Sequence, residues 1–355
     1  MKKVMERKLA TIRKVNEIKP IEGADMIELA IVDGWQCVVK KGEFKPGDLG
    51  VYFEIDSYLP IEERYEFLRK SSYKKIPDQL QDQRGEGFRL KTVKLRGQIS
   101  QGLMLPLDMF PELKTTTIGS DVTETLRVVL YEPPVPANLA GQVRGILPGI
   151  LKKTDEERIQ NLPEFFTQYK DIAFECTEKI DGSSMTVYYT PDDQGVCSRN
   201  LNLYEDDNNT LWKIAKELEL HKLLKELNKN LALQGEIAGE GIQKNPLRIK
   251  GQHLFLFNIW DIDKREHLPP KERLEIFHFF EERVPIKHVP IIAPSLKVFE
   301  KNKTMAELLD FAVGKSLLNK DVQREGIVFK SLETIGREII SFKVISNKYL
   351  LKHDA

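Results

Sequence analysis

The first half of the chain alternates apolar and polar residues over short runs. β-Branched and aromatic residues concentrate within the runs, and turn-forming residues such as Asp33-Gly34 separate them. A period of two is typical of half-buried strands. The pattern predicts strands over 8–15, 26–40, 49–55, 88–95 and 102–107. Several short strands with few helices favour a small barrel or sandwich.

The second half of the chain mixes both periods. Leucines at helical spacing predict a helix over 209–227, and further helices are expected over 270–284 and 304–318. Thr154, followed three residues later by Glu157, is a capping-box pattern that predicts a helix start over 153–160. Strands are expected at 231–235, 254–261, 326–330 and 338–344. This mixture predicts an α+β fold.

A proline-rich segment separates the two patterns. The 355 residues are long for one domain and comfortable for two. Residues 132–136, Glu-Pro-Pro-Val-Pro, form a stiff, turn-prone run and are the best candidate linker. We therefore expect one domain over 1–138, linker included, and a second over 139–355.

The net charge is zero, since 54 Lys and Arg balance 54 Asp and Glu. A zero total neither supports nor excludes nucleic acid, because local patches bind phosphates. The stretch 69–96 carries nine Lys and Arg against three Asp and Glu, with Tyr73 and Phe88 interleaved. A phosphate backbone would favour such a stretch. A solvated loop accounts for it equally well.

The cysteines and the N-terminus indicate the cellular environment. Cys37, Cys176 and Cys197 are widely spaced without a CxxC pair, so neither a structural zinc site nor a disulfide framework is expected. The basic N-terminus lacks the apolar core of a signal peptide, and no run approaches the length of a membrane span. An intracellular location, in the cytoplasm or the nucleus, is the expectation.

The candidate chemistry begins at Lys179-Ile-Asp-Gly182. An apolar run (172–174) precedes it and an alternating run (185–189) follows, which predicts strand, tight turn, strand. A lysine at the edge of such a turn can act as a nucleophile when its neighbours hold the amine uncharged. The tetrapeptide alone is a weak signal because Asp-Gly is a common hairpin turn.

Five further segments follow the lysine motif in a fixed order. They are Ser198-Arg-Asn200, Gln234-Gly-Glu236 at a strand end, the apolar strand 254–259, Arg324-Glu-Gly-Ile-Val-Phe-Lys330 and Ser341-Phe-Lys-Val-Ile-Ser346. In this order, the six resemble the signature of the covalent nucleotidyltransferases, which comprise polynucleotide ligases and messenger-RNA capping enzymes.

The resemblance implies a role for each motif residue. Lys179 would attack the α-phosphate of a nucleoside triphosphate and expel pyrophosphate, a step that needs charge stabilisation and in-line positioning. The nucleotide-binding set would be Glu178, Arg199, Glu236, Phe257, Lys330 and Lys343, in which Phe257 stacks on the base and Glu236 bonds the ribose. The oxygen ligands that would hold a hydrated Mg²⁺ or Mn²⁺ are Asp181, Glu236 and Glu325.

Each of these residues also has a structural interpretation. Arg199 and Lys343 can be surface cations, Phe257 can belong to the core, and Glu325-Gly326 can be a turn. Glu236 competes with Glu240 on the same segment. The combination is specific where each member is not, because six ordered matches across 179–343 are hard to obtain by accident.

Two features separate the branches of the superfamily. DNA ligases and capping enzymes usually carry an arginine two places after the glycine of the lysine motif, and here that place is Ser184. They also place an oligonucleotide-binding barrel after the last motif, whereas nine residues follow Ser346. The segments 7–15, 33–43, 51–56 and 95–102 resemble the Naegleria-type RNA ligases, in which that barrel precedes an ATP-grasp-like nucleotidyltransferase domain.

This closer resemblance covers nearly the whole chain. It implies an ATP-dependent RNA ligase that joins a 3′-hydroxyl to a 5′-phosphate, with nicks in a duplex as the expected substrate and no membrane partner. The barrel would contact RNA beside the nick, and Arg158 would orient the departing pyrophosphate. Related ligases often carry a second lysine near Lys343, so either one lysine suffices or Lys348 substitutes. A DNA ligase, a GTP-using capping enzyme and a non-catalytic RNA-binding protein remain the alternatives.

Overall fold

The protein divides into two compact units. The computed structural model describes residues 7–76, 85–114, 117–133 and 141–353. The first unit comprises Met1–Val135 with Leu350–Ala355, and the second comprises Pro136–Tyr349. The predicted domain boundary after position 138 lies outside the described residues, as do positions 134–136 of the predicted linker. No helix of the described part of the chain is long and apolar enough to cross a membrane.

The first unit is built almost entirely of short strands. Its described residues up to position 133 contain α1 (Arg69–Ser72) and two 3₁₀ turns, Glu63–Leu68 and Leu107–Met109. The strands are β1 (Ala10–Lys14), β2 (Glu17–Pro20), β3 (Ile27–Val32), β4 (Trp35–Lys40), β5 (Leu49–Phe53), β6 (Ser57–Leu59), β7 (Tyr73–Lys75), β8 (Glu86–Arg89), β9 (Thr92–Leu95), β10 (Gln98–Gln101), β11 (Leu103–Pro106) and β12 (Val129–Leu130).

These strands pair in the orders β1-β5-β11, β2-β3-β4, β12-β6-β8-β7 and β10-β9. The predicted run 26–40 is a hairpin, since Asp33 and Gly34 have φ of 49° and 87° and form the two-residue loop between β3 and β4. The predicted run 88–95 falls in two strands, β8 and β9, and β10 was not predicted. Phe88 is fully buried in the core of the unit, which excludes this ring from stacking on a base at the surface.

The second unit contains both strands and helices. Its helices are α2 (Phe165–Gln168), α3 (Thr210–Glu217), α4 (Leu220–Glu226), α5 (Pro270–Glu281), α6 (Val298–Lys301), α7 (Met305–Phe311) and the first residues, up to Tyr349, of α8 (Asn347–His353). Its strands are β13 (Val143–Ile146), β14 (Phe174–Lys179), β15 (Ser183–Tyr189), β16 (Gln194–Cys197), β17 (Leu201–Leu203), β18 (Leu231–Gly239), β19 (Gln252–Asp261), β20 (Glu266–His267), β21 (Lys287–His288), β22 (Ile291–Leu296), β23 (Gly326–Ser331) and β24 (Ser341–Ile345).

Two sheets organise this unit, and the lysine motif connects them. The larger sheet has the order β13-β17-β16-β15-β18-β19-β20, with β21 added beside β19. The smaller sheet has the order β22-β14-β23-β24. The predicted strand, turn and strand around Lys179 are present, but β14 and β15 belong to different sheets and do not pair as a hairpin. Residues 180–182 therefore carry the chain from one sheet to the other.

The predicted helix start at 153–160 is wrong. Lys343 N donates to Glu157 O, and the backbones of Arg158 and Lys343 form a parallel β-bridge. The backbone here therefore runs beside β24 and cannot close an α-helical turn. A 3₁₀ turn over Ile159–Asn161 follows. The Thr154 hydroxyl lies 3.0 Å from that of Ser184 instead of capping a helix.

Two other predicted helices are present with different bounds. The helix predicted over 209–227 is two helices, α3 and α4, because Glu219 between them has a φ of 47°. The helix predicted over 304–318 ends at Phe311. The Arg324 guanidinium bonds the carbonyls of Phe311, Ala312 and Val313 and so replaces the amides of a further helical turn.

Candidate active site

Lys179 is the last residue of β14, where it pairs with Gly326 of β23. Glu325 directly precedes Gly326, and Lys179 Nζ donates to Glu325 Oε2 over 2.9 Å. The lysine side chain is 27% exposed and that of the glutamate 14%, so both side chains are largely but not fully buried. A Cβ on Gly326 would lie 2.2 Å from the carbonyl oxygen of Val344. This glycine therefore permits the close approach of β23 and β24 beside the lysine.

The turn after Lys179 brings a second and a third carboxylate to the amine. A Cβ on Gly182 would lie 2.2 Å from Ile237 O and 3.0 Å from Glu236 Cγ, so the missing side chain lets the turn lie against β18. Burial by itself lowers the pKa of Lys179, but the charges of Glu325, Glu236 and Asp181 outweigh it and raise that pKa. In the nucleotide-free protein the amine is therefore protonated and not yet nucleophilic.

The acidic groups outnumber the amine they surround. Burial, together with the charges of Glu325 and Asp181, raises the pKa of Glu236 to about 8 despite the opposing charge of Lys179. Such an excess of buried acid is relieved by a cation. Within the described ranges, no three side chains of the His, Cys, Asp or Glu type are close enough to hold a metal directly. The arrangement fits a hydrated Mg²⁺ or Mn²⁺ that keeps its waters between metal and carboxylates.

Three predicted cations, Arg158, Arg199 and Lys343, share this charged environment with Lys179. Burial lowers the pKa of Lys343 to about 8, and the charges of Lys179, Arg158 and Arg199 contribute to that shift. Lys343 and the three cations whose charges repel it favour a polyanion such as a triphosphate. The side chain of Arg199 is 59% exposed, and its guanidinium forms a two-point ion pair with Asp155. Phosphate contact by Arg199 would require this pair to open or to widen.

Phe257 and Lys330 lie together. Lys330 Nζ donates to the Phe257 carbonyl oxygen over 2.6 Å and lies 5.4 Å from the centre of the Phe257 ring. Lys330 is 3% exposed, whereas Phe257 is half-buried. Burial, with a contribution from the charge of Arg273, lowers the pKa of Lys330 to about 8. Lys330 thus supports the ring that we expect to stack on a base, and its phosphate contact stays a prediction.

Glu178 lies on the opposite face of β14 from Lys179, since successive side chains of a strand alternate. Its Oε2 accepts a hydrogen bond from Leu317 N over 2.7 Å, which anchors the segment after α7. Its Oε1 is buried without a partner among the described residues. Contact between Glu178 and the nucleotide stays a prediction.

Two residues of the site were not predicted from the sequence. Asp155 pairs with Arg199, and nothing in its sequence neighbourhood distinguishes it from other acidic residues. Tyr349 donates from its hydroxyl to Asp181 Oδ2 over 2.7 Å, and its only signal is its place three residues after Ser346, one helical turn along α8. Lys348, the candidate second lysine of the last motif, is exposed on α8.

Comparisons with known proteins agree with this architecture. An OB-fold domain family matches residues 9–107, and the RNA ligase family matches residues 172–345. These matches confirm the expected order of an oligonucleotide-binding barrel followed by a nucleotidyltransferase domain. A comparison with curated proteins found no match.

Several solved structures of an RNA ligase from Naegleria gruberi are similar over nearly the whole chain. A Lys-to-Met mutant with AMP and Mn is 48% identical, covers 98% of this chain and 99% of that chain, and has a TM-score of 0.82. A Lys-to-Ala mutant with ATP and Mn is 48% identical with the same coverage and a TM-score of 0.81. The ligase with PPi is 49% identical, again over 98% and 99%, with a TM-score of 0.80.

Proposed function

The chain belongs to the RNA ligase family, and from this premise we propose that it seals RNA ends through an adenylate carried on Lys179. The observation that carries the proposal is the environment of the lysine amine. Three carboxylates and three further cations lie close enough for their charges to act on this cluster. Such a set suits a nucleoside triphosphate whose phosphates contact the cations while a hydrated metal contacts the carboxylates. The solved relatives with ATP, AMP and Mn support the choice of nucleotide and metal.

In the first step, Lys179 Nζ forms a bond to the α-phosphorus of ATP and loses a proton, while the bond to pyrophosphate breaks. Glu325 orients the amine, and Arg158, Arg199 and Lys343 balance the charge on the phosphates. Phe257 stacks on the base above Lys330. A hydrated Mg²⁺ or Mn²⁺ would be held through its waters by Asp181, Glu236 and Glu325, where its positive charge would lower the pKa of the lysine and stabilise the transition state.

The remaining steps transfer the adenylate and join the strands. AMP moves from Lys179 to a 5′-phosphate end and forms a phosphoanhydride, which restores the amine. The 3′-hydroxyl oxygen then attacks the 5′-phosphorus, loses its proton and expels AMP. We propose nicks in a duplex as the substrate. A 3′-hydroxyl and a 5′-phosphate lie side by side at a nick, so that neither end has to be found by diffusion.

RNA contact by the first unit is supported by one face of the sheet β12-β6-β8-β7. Lys74 pairs with Gly87 and Tyr58 pairs with Arg89, so Lys74 and Arg89 share the face opposite to buried Phe88. The Arg89 guanidinium lies 4.4 Å from the centre of the Tyr131 ring. Burial, then the charges of Arg89 and Lys74, lower the pKa of nearby Lys91. We propose that this basic face, defined by Lys74, Arg89 and Lys91, binds the phosphates of the RNA.

The direct test is incubation with α-labelled ATP and Mg²⁺, followed by a denaturing gel. The expected result is covalent label on the wild type and on Lys170→Ala, an exposed-lysine control, and none on Lys179→Ala. Label from GTP instead of ATP would move the chain to the capping chemistry. Absence of label from protein first stripped of AMP with pyrophosphate would refute the lysyl-adenylate.

A second test addresses the substrate. Duplexes with a single nick are compared with RNA or DNA on the 3′-hydroxyl side and with a 5′-phosphate or a 5′-hydroxyl opposite. Sealing is expected only with a 5′-phosphate and to be faster with RNA on the 3′-hydroxyl side. Equal sealing of an all-DNA nick would contradict the proposed substrate while leaving the adenylate intact.

A further inference from the structure

The C-terminal helix α8 is bonded to the turn that carries the lysine motif. The Tyr349 hydroxyl donates to Asp181 Oδ2 over 2.7 Å, two residues after Lys179. Tyr349 is 1% exposed, so packing fixes the ring and leaves its hydroxyl little freedom. A buried tyrosine normally finds a hydrogen-bond partner, but here the partner is a carboxylate beside the nucleophile.

The start of α8 is bonded to a second carboxylate residue of the same set. Ser346 N donates to Glu325 O over 2.8 Å, and Tyr349 N donates to Ser346 Oγ over 3.3 Å. Ser346 is also 1% exposed. The segment from Ser346 to Tyr349 is therefore hydrogen-bonded to both Glu325 and Asp181. Glu325 directly precedes β23, whereas Asp181 lies in the turn between β14 and β15.

The turn is held from the other side by β18. The contacts that a Cβ on Gly182 would make with Ile237 O and Glu236 Cγ leave the turn no room to move toward that strand. Asp181 thus lies between β18 and α8. Without the tyrosine hydroxyl, its carboxylate would be free to rotate toward the Lys179 ammonium, because opposite charges attract strongly where water is scarce.

We infer that Tyr349 is a positioning residue for nucleotidyl transfer, whose hydroxyl holds the Asp181 carboxylate at a fixed distance from Lys179 and Glu325. The inference rests on the proposed function. Tyr349 acts through Asp181, to which its hydroxyl is bonded, on the hydrated cation. A charge-assisted hydrogen bond of this kind fixes direction as well as distance.

The test is Tyr349→Phe, which keeps the ring and removes the hydroxyl. Tyr188→Phe is a matched control, since Tyr188 is fully buried and its hydroxyl donates to Asp193 over 2.8 Å outside the carboxylate set around Lys179. For Tyr349→Phe we expect a higher half-saturating metal concentration and adenylylation slower by on the order of 10- to 100-fold. The control should match the wild type in both. Identical metal dependence in Tyr349→Phe and the control would overturn the inference.

A binding measurement separates positioning from loss of activity. Mn²⁺ affinity is measured by electron paramagnetic resonance, with an ATP analogue whose α,β-methylene bridge prevents transfer. Tyr349→Phe should weaken Mn²⁺ binding in the wild-type background and should add nothing in the Asp181→Ala background, because coupled residues are not additive. An equal loss in both backgrounds would show that Tyr349 does not act through Asp181.

Two controls keep the test decisive. If Tyr349→Phe does not fold, Ser346→Ala takes its place. It removes the hydrogen bond from Tyr349 N to Ser346 Oγ and should also raise the half-saturating metal concentration, by a smaller factor. An unchanged value would count against the inference. Failure of the proposed function itself would appear differently, as absence of label on the wild type from ATP.

Discussion

Lys179 and Glu325 are 146 residues apart in sequence, yet their side chains share a 2.9 Å hydrogen bond. The pairing of β14 with β23 produces this contact, because Lys179 lies opposite Gly326 at the end of both strands. Of the charges near the amine, Glu325 contributes most to raising the pKa of Lys179. The same carboxylate thus orients the nucleophile and keeps it protonated until positive charge arrives.

Glu325→Gln should slow adenylylation on the order of 100-fold, because the neutral amide neither orients the ammonium nor attracts a cation. The pH below which the residual rate declines (the acid limb of the pH profile) should be lower than in the wild type. Transfer needs the uncharged amine, and removal of Glu325 lowers the pKa of Lys179. Single-turnover labelling between pH 6 and 10 measures both. Glu333→Gln, an exposed glutamate beyond the end of β23, is the control, and an unshifted acid limb would contradict the assignment.

Gly182→Ala should disturb the site without unfolding the unit. The added Cβ would meet Ile237 O at 2.2 Å, so the turn has to move away from β18 and carry Asp181 with it. Overpacking of this kind typically costs about 1–3 kcal/mol in the free energy of unfolding. We expect a large loss of adenylylation with a moderate fall in Tm. Gly145→Ala is the matched control, since its Cβ would meet nothing within 4 Å, and equal activity of the two variants would refute this role.

The sequence specified the lysine motif and its strands, because Lys179, Asp181 and Gly182 lie in a short pattern whose local structure follows from alternation and a turn. It could not specify that β14 and β15 belong to different sheets, since strand pairing depends on distant segments. The helix predicted at 153–160 failed for the same reason. The capping-box pattern of Thr154 and Glu157 is local, whereas the backbone bond to Lys343 that overrides it is not.

The partners of the site residues were equally hidden from the sequence. The apolar run around Phe257 predicted a strand, but only the fold shows that Lys330 lies against the ring. Tyr349 has no motif of its own, and its contact with Asp181 depends on where α8 packs. For Glu178 the sequence pattern was itself informative. Successive side chains of a strand alternate, so Glu178 lies on the face of β14 opposite to Lys179.

The free energy of unfolding of the metal-free protein should fall as the pH rises between the ordinary pKa of Glu236 and its raised pKa in the folded protein. Its pKa is raised from an ordinary value of 4.5 to about 8, with burial as the main cause. Between these values the folded protein retains a proton that the unfolded chain releases, so the free energy of unfolding decreases with rising pH. The stabilising contribution is complete below the ordinary value and is lost as the pH passes through about 8.

Thermal unfolding in a chelator checks this linkage. Glu236→Gln imitates the protonated carboxyl, so its Tm should equal that of the wild type near the ordinary pKa of 4.5 and exceed it by an amount that grows until the pH reaches about 8. For a unit of this size, each kcal/mol corresponds to about 2–4 °C. Glu240→Gln, an exposed neighbour beyond the end of β18, should follow the wild type. A Tm difference independent of pH would contradict the raised pKa.

The basic face of the first unit should separate RNA binding from chemistry. Lys74→Ala combined with Lys91→Ala removes two cations from the proposed phosphate contacts. The affinity for a nicked RNA duplex should fall, and the slope of log K against log salt should decrease by about 2. Adenylylation should be unchanged, because Lys179 and its partners all lie in the other unit.

Lys40→Ala combined with Lys41→Ala supplies the matched control, since both lysines are exposed in the same unit but belong to the end of β4. This pair should retain the salt dependence of the wild type. A lysine outside the contact neutralises no phosphate and therefore displaces no counterions, so its removal changes nothing. If both double variants lower the slope equally, RNA is attracted by the general charge of the unit and not by the basic face. If neither does, the phosphates lie elsewhere, and the solvated-loop interpretation of this stretch is the better one.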